Sequence, residues 1–378
     1  MMSSSSKTWR ILLLALAAGC IALGIAGAGC IAQNNGPSLT CGLAVNEKFS
    51  TINLGVSSED FRKAGFAPGD SLTFSFSNGV VCSDVPYLTG LVVKGGTLIA
   101  LERSTFGTIE LVVVNVGNEW DTIGVTKDDT VTVSVAKSQG SAGIQQLNTL
   151  RYTKDPADFP SHEAFANFRA AEGGTLKENF IYRGASSVDN LGNRVKIVNE
   201  LIEKAGVKTV VDLADSAEQI KEMQESAEDK DTYFERLSEN GNVLALGMST
   251  AYNSPEYAEK LADGLKAMTK MEGPFYIQCL EGKNRTGFVC MLLEALCGAS
   301  YEEMEADYMK TYENYYGITK ESDASAYTNI CDILFDEQLR ALTDDLSQKN
   351  YIEPAKAYLR SGGMSDDEIT LLIQMISS

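Results

Sequence analysis

Two architectures are predicted in one chain: an all-β barrel or sandwich over residues 37–150, then an α/β domain over 151–378 with a central sheet flanked by helices. Three observations predict them. Between 39 and 150, apolar residues recur at every second position in short runs punctuated by Gly, Asp, Asn and Pro, the pattern of half-buried strands. From about 159 onward, short apolar runs alternate with stretches of helical period, the rhythm of a parallel or mixed sheet covered by helices. Finally, Phe275-Tyr276-Ile277 leads into a glycine-containing loop and then an apolar segment from Phe288: strand, tight loop, helix.

At 378 residues the chain can build two cores, and 44% hydrophobic with 22% charged residues is a globular composition. Its 32 Lys plus Arg against 51 Asp plus Glu give a formal charge of -19, which argues against non-specific binding to nucleic acid or to an anionic membrane face. A phosphorylated partner is compatible with that charge, because a local clamp works inside an acidic protein.

The first element is not part of the fold. Lys7 and Arg10 precede an unbroken apolar run over 11–32, so residues 1–36 read as a signal peptide or lipoprotein anchor with a tether. The run is also long enough for an uncleaved span. Cys20 and Cys30 both follow small residues; Cys30, in GAGC before the polar tether QNNGP, is the expected lipid-bearing residue. The expected location is an exported protein anchored to the bacterial cell membrane on its extracytoplasmic face.

In the β region, strands are expected at 50–54, 72–76, 90–93, 98–102, 108–114 and 130–135. The stretches GFAPGDSLTFSF (65–76) and GVTKDDTVTVSV (124–135) align with one another, which suggests a duplicated turn-strand unit, with Asp70 and Asp129 in the turns. Export would permit a disulfide, and Cys41 and Cys82 are the candidates here. Cys290 and Cys297 fall on an apolar helix and read as buried thiols. There is one histidine and no CxxC pair, so neither a metal nor another cofactor is implied.

Residues 141–160 read as a connector. Beyond it, strands are expected at 180–182, 209–213, 242–246 and 275–277, and helices at 192–205, 216–229, 255–271 and 288–297. Further helices are expected at 300–315, 323–346 and 368–376, the last with a capping box from Ser365 and Glu368.

The chemistry concentrates in YIQCLEGKNRTG, residues 276–287. A loop between a strand and a helix N-terminus can turn successive N–H groups toward an anion, and Gly282 and Gly287 permit the curvature. Cys279 is the candidate nucleophile, and Arg285 can grip two phosphoryl oxygens through its planar fork. The helix N-terminus, the loop amides and Arg285 all favour a charged thiolate. Leu280, Gly282, Lys283, Asn284 and Gly287 complete the expected anion-binding lining.

The pattern Cys-x5-Arg-Thr-Gly, with Gly282 and Lys283 inside it, resembles the cysteine-dependent protein tyrosine and dual-specificity phosphatases, nearest to the bacterial branch written HCxxGKDRTG. The resemblance spans about 159–316. It includes Phe180-Ile181-Tyr182-Arg183-Gly184, similar to that branch's "lyRs" strand, and Val210-Val211-Asp212-Leu213, similar to its "vIDLR" strand. It implies phosphomonoester hydrolysis through a phosphocysteine, on phosphotyrosine protein or a phosphoinositide-like polyphosphorylated compound.

The resemblance also implies that Thr286 donates to the Cys279 sulfur, and that Lys283 accompanies multiply phosphorylated substrates. Arg183 either touches the pocket or braces the loop, and Asp307 and Tyr308 pack behind the site. Three positions depart from the pattern. Gln278 stands for the usual His, Ala214 for an Arg, and Asn284 for the aspartate that protonates the leaving group. Glu281 is the nearest alternative acid, or else a solvated loop residue, and Asp215 could border the pocket. Two other readings stay open: a degenerate phosphatase that only binds phosphorylated ligands, and a surface interaction protein working through its β domain.

Overall fold

The computed structural model describes residues 36–378 apart from 115, 228 and 229. The expected anchor, with Cys20 and Cys30, lies outside the described residues. Pro37–Ser378 forms one compact unit, sheet-rich at its start and helix-rich at its end. Among the described residues no helix is long and apolar enough to cross a membrane.

Strands β1 (Ser38–Gly42), β2 (Ala44–Asn46), β3 (Thr51–Ser57), β4 (Ser71–Phe76), β5 (Val81–Leu88), β6 (Leu98–Arg103), β7 (Thr108–Val113) and β8 (Thr130–Lys137) make one curled sheet. Its order is β1-β8-β4-β5-β6-β7-β3-β2. All pairs are antiparallel except β5 with β6. Inside the curl, alternate residues such as Leu72, Phe74, Val131 and Val133 pack with Phe61 and Phe66.

The repeated unit takes the same form twice. Short helices α1 (Ser58–Lys63) and α2 (Glu119–Ile123) precede β4 and β8, which pair with each other. Asp70 Oδ2 accepts from the Ala67 N–H at 2.8 Å, and Asp129 Oδ2 accepts from the Thr126 N–H at 2.9 Å, so each aspartate closes a turn ahead of its strand.

Two expectations for this region need correction. Residues 90–93 are not a strand; the Val92 N–H and C=O are both met by the side-chain amide of Asn148, at 2.8 and 3.1 Å, as a neighbouring strand would meet them. Cys41 and Cys82 are free thiols. They sit on β1 and β5 with β8 and β4 between, about 14 Å across the sheet at the usual strand spacing, beyond disulfide reach.

Helix α3 (Ala142–Thr149) joins the two parts. Ile144 packs with Leu88 and Ile99 of the curled sheet, whereas Leu147 belongs to the core of the helix-rich region. Gln146 Nε2 donates to Asp323 Oδ2 at 2.8 Å.

The second sheet contains β9 (Arg169–Ala170), β10 (Ile181–Gly184), β11 (Thr209–Asp212), β12 (Val243–Ala245) and β13 (Phe275–Gln278) in the order β12-β11-β13-β10-β9. Only β9 runs antiparallel. The helices are α4 (His162–Ala166), α5 (Val195–Lys204), α6 (Ala217–Ser226), α7 (Tyr233–Glu239), α8 (Pro255–Met268), α9 (Asn284–Leu296) and α10 (Tyr301–Tyr316). They continue with α11 (Ala324–Ile330), α12 (Asp336–Leu339), α13 (Ile352–Ser361) and α14 (Asp366–Ile376). The expected helix 216–229 ends at Ser226, and a second capping box, Thr232 with Glu235, starts α7. The expected 323–346 helix ends at Leu339.

β13 is central and buried throughout. Phe275 and Ile277 face the core shared by α8, α9, α10, α13 and α14, while Tyr276 faces the core of α5 and α7. The strand therefore delivers Cys279 to the carboxyl edge of a parallel sheet, where sites form in such folds. α9 is buried from Thr286 to Leu296, which explains why its sequence is apolar on every face.

Candidate active site

Residues 279–283 connect β13 to α9. Cys279 is almost fully buried at the base of this loop, and Arg285 is in the first turn of the helix. The loop's carbonyls are held from outside. Leu280 O accepts from the Ser186 N–H at 3.2 Å, and Glu281 O accepts from the Tyr315 hydroxyl at 2.7 Å. Gly282 O accepts from Asn167 Nδ2 and from Arg183 Nη2, both at 3.1 Å. None of the N–H groups from Leu280 to Arg285 finds an acceptor among the described residues. With the carbonyls engaged, these donors remain free to meet an anion, as an oxyanion cradle requires.

Gly282 shows why the loop needs glycine. Its φ is +64°, and a Cβ would come within 2.3 Å of the Gly184 carbonyl carbon and 2.4 Å of its oxygen. The loop thus lies directly on β10.

The Arg183 side chain is buried, with the guanidinium held by Asp307 and the Gly282 carbonyl, so it braces the loop. Burial pushes the Asp307 carboxyl up, but Arg169 and Arg183 outweigh burial and hold it below the usual range. Arg169 Nε lies 2.8 Å from Asp307, and Arg169 Nη1 donates to Asn167 Oδ1 at 2.7 Å. Asp307, Arg169, Arg183 and Asn167 form one buried support beneath the loop.

Gln278 replaces a histidine without leaving an unmet group. Its Oε1 accepts from the Ser187 N–H at 2.9 Å and hydroxyl at 2.7 Å, and its Nε2 donates to Asp212 Oδ2 at 2.6 Å. Asp212 Oδ1 accepts from the N–H groups of Ala214 and Asp215 at 2.8 and 3.0 Å. Burial, with the Asp215 charge added, raises Asp212 to about 6 against these hydrogen bonds.

On the other flank, Glu281 accepts from the Tyr152 hydroxyl and lies 3.1 Å from Lys283 Nζ. Burial raises its carboxyl, but Lys283 and the Tyr152 hydrogen bond outweigh that and leave it below the usual range. An anchored carboxylate of this kind is a poor proton donor. Lys283 is also 3.3 Å from the Tyr316 hydroxyl, so this ammonium is engaged by loop and helix side chains. Asn284 is exposed, at the first position of α9.

Arg285 Nη1 donates to the Met248 carbonyl at 2.9 Å and lies 3.5 Å from that of Ala214. The Thr286 hydroxyl is buried without a partner among the described residues. The bond to the Cys279 sulfur implied for it is therefore not formed here. Gly287 passes Tyr308 so closely that a Cβ would come within 3.0 Å of the ring.

The sequence reading missed supporting residues, among them Tyr152, Asn167, Arg169, Ser186 and Tyr315. Tyr152 lies in the connector, stacked on Tyr315 with ring centroids 4.7 Å apart, and Arg194 lies over both rings at 4.8 and 4.9 Å. The helical spacing of Tyr308, Tyr312 and Tyr315 was the available signal that one face of α10 turns toward the loop.

A buried cysteine at the carboxyl end of a parallel strand, a loop with anchored carbonyls and an arginine at the helix start thus lie together at one edge of the sheet. The tyrosine phosphatase family matches residues 164–377, more than half of the chain, and the chain belongs to that family. Among solved structures, the crystal structure of P. aeruginosa TpbA is similar at 17% identity over 54% of this chain and 97% of that chain, with a TM-score of 0.21. No curated protein matches.

Proposed function

We propose that this phosphatase hydrolyses phosphate monoesters through a phosphocysteine on Cys279. The observation that carries the reading is the run of N–H groups from Leu280 to Arg285 that find no acceptor among the described residues in the loop following Cys279, while the loop's carbonyls are bonded to Ser186, Asn167, Arg183 and Tyr315. The thiolate attacks phosphorus, a P–S bond forms, the P–O ester bond breaks, and the leaving oxygen takes a proton. Water then attacks phosphorus, the P–S bond breaks, and phosphate leaves with the thiolate restored. Arg285 uses its remaining N–H groups on two equatorial oxygens, where charge is spread in the transition state. Rotation of the Thr286 hydroxyl toward sulfur would ease the second step.

An aryl phosphate, as in a phosphotyrosine protein, fits better than a polyphosphorylated small molecule. Lys283 is held by Glu281 and Tyr316, and Tyr152 and Tyr316 beside it are half-buried aromatic faces, their centroids 5.7 Å apart. The rival reading, a module that binds phosphate without turnover, draws on Asn284 and on the ionised Glu281, since neither loop residue supplies a proton.

The experiment is hydrolysis of an aryl phosphate by residues 37–378, with Cys279→Ser alongside. Turnover that vanishes in Cys279→Ser, together with a trapped phosphocysteine in the parent, supports the enzyme. Binding of vanadate without turnover of any ester favours the module. We further propose that residues 1–36 export and anchor the protein through a lipid on Cys30. Mass spectrometry of the mature N-terminus tests this, and an intact Met1 peptide in the exported form refutes it.

A further inference from the structure

With Asn284 carrying no acidic proton and Glu281 held ionised, the leaving group needs its acid from elsewhere. We propose that Asp215, on the connector between β11 and α6, is the catalytic general acid, which rests on the phosphocysteine reading above.

Four observations place it. β11 and β13 are parallel neighbours with Asp212 opposite Gln278, and Leu213 N–H donates to Gln278 O at 2.9 Å, so the connector runs past the start of the Cys279 loop. The Arg285 guanidinium approaches the Ala214 carbonyl, one residue away. The Asp215 backbone is fixed: its N–H donates to Asp212 at 3.0 Å, and its carbonyl accepts from the Gly247 N–H at 3.1 Å. Its side chain, however, is uncommitted. Oδ2 is buried without a hydrogen-bond partner among the described residues, and Ser216, not Asp215, caps α6. A buried carboxyl oxygen with nothing to accept from is costly unless it carries or exchanges a proton.

The charges around it favour the protonated form. Burial and the nearby Asp189 raise Asp215, and Arg285 opposes them less strongly. Asp212 adds a third carboxyl against the same connector. Asp212 itself is unsuited to the role, since both of its oxygens are occupied by Gln278 and the two backbone N–H groups.

In the first step the Asp215 proton passes to the ester oxygen as the P–O bond breaks, so an alcohol leaves in place of an alkoxide. The resulting carboxylate takes a proton from the attacking water as the P–S bond breaks, which restores the acid. Two half-reactions use one carboxyl with no external proton source.

The test compares an alkyl phosphate with an activated aryl phosphate in the parent, Asp215→Asn and Asp215→Asn/Asn284→Asp proteins. Asp215→Asn should lower kcat on the alkyl ester by about 100-fold or more, yet leave the activated ester within about threefold, because a good leaving group needs no proton. The basic limb of the pH–kcat profile should disappear with it. Asn284→Asp, adding a carboxyl where the related branch carries one, should recover at least about tenfold on the alkyl ester. Equal losses on both esters, or no loss on either, would overturn the assignment. A parent inert toward both esters would overturn the phosphocysteine reading itself, and the acid with it.

Discussion

Replacing Gly282 by alanine tests whether the loop's contact with β10 sets its catalytic shape. Two costs add at this residue. An L side chain at φ +64° costs about 1–2 kcal/mol, and a methyl group against packed backbone costs roughly 1–3 kcal/mol more. Here the obstacle is the Gly184 peptide, 2.3 Å from the new carbon, and it belongs to a paired strand. The loop is the part that moves. A shift of about 1 Å at reacting atoms costs on the order of 10² in rate, so kcat/KM on an aryl phosphate should fall by at least about 100-fold. Vanadate affinity should fall alongside. The strain of about 2–5 kcal/mol should lower Tm by no more than roughly 10 °C in a unit of this size. Gly317→Ala is the control: its φ is +66°, but nothing lies within 4 Å of the added carbon. It should show the stability cost without the kinetic one. Retention of kcat/KM within about threefold in Gly282→Ala, or an equal fall in Gly317→Ala, would refute the reasoning.

Three further outcomes are expected. Asp307→Asn leaves Arg169 and Arg183 buried without their counter-ion and should destabilise by about 3–5 kcal/mol, read by denaturant unfolding. Because Asp307 is held below its ordinary value in the fold, its contribution is present above that ordinary value, near pH 4, and lost as pH falls through the depressed one. The parent should therefore lose more stability than Asp307→Asn on acidification below about pH 4. Glu281→Gln should keep alkyl phosphate turnover within about threefold, since an ionised carboxylate is not the acid; a loss of 100-fold or more would make it the acid after all. Residues 37–150 expressed alone should fold, with amide protection on β4 and β8 in hydrogen exchange but little on α3, whose Leu147 loses its neighbours. An unprotected fragment would mean that the curled sheet depends on residues 151–378 for its stability.

The range of the forces involved decides which features could be read from the chain and which could not. The strand, loop and helix around Cys279 were legible because all their signals lie within some twenty residues: apolar run, glycines, then an apolar helix. β5 was not legible, because Asp84 and Pro86 interrupt its alternation, and Pro86 is tolerated where β5 gives up its full ladder with β4. Residues 90–93 had the composition of a strand, yet a single amide from Asn148 replaced the neighbour they would have needed. Helices α1 and α2 span six and five residues, too short for a helical period to register. At the site, the chemistry of Cys279 and Arg285 was local. The roles of Arg183, Asn167, Tyr152 and Tyr315 were set by contacts between residues far apart in the sequence, such as Asn167 with Thr311, 144 positions away, and Tyr152 with Tyr315. At Glu281 the local charge of Lys283 does most to lower the carboxyl, and a hydrogen bond from a connector tyrosine adds to it in the same distant way.

The anchoring of the loop's carbonyls has a thermodynamic consequence. Ser186, Asn167, Arg183 and Tyr315 fix the loop backbone from three separate segments, so its conformational entropy is lost during folding and not when an anion arrives. Association of an oxyanion should accordingly proceed in a single kinetic phase whose rate rises linearly with concentration. The heat-capacity change should be small, because little apolar surface is newly covered. Weakening one anchor would move that ordering cost into the binding step, where it would appear as a less favourable entropy at nearly unchanged enthalpy.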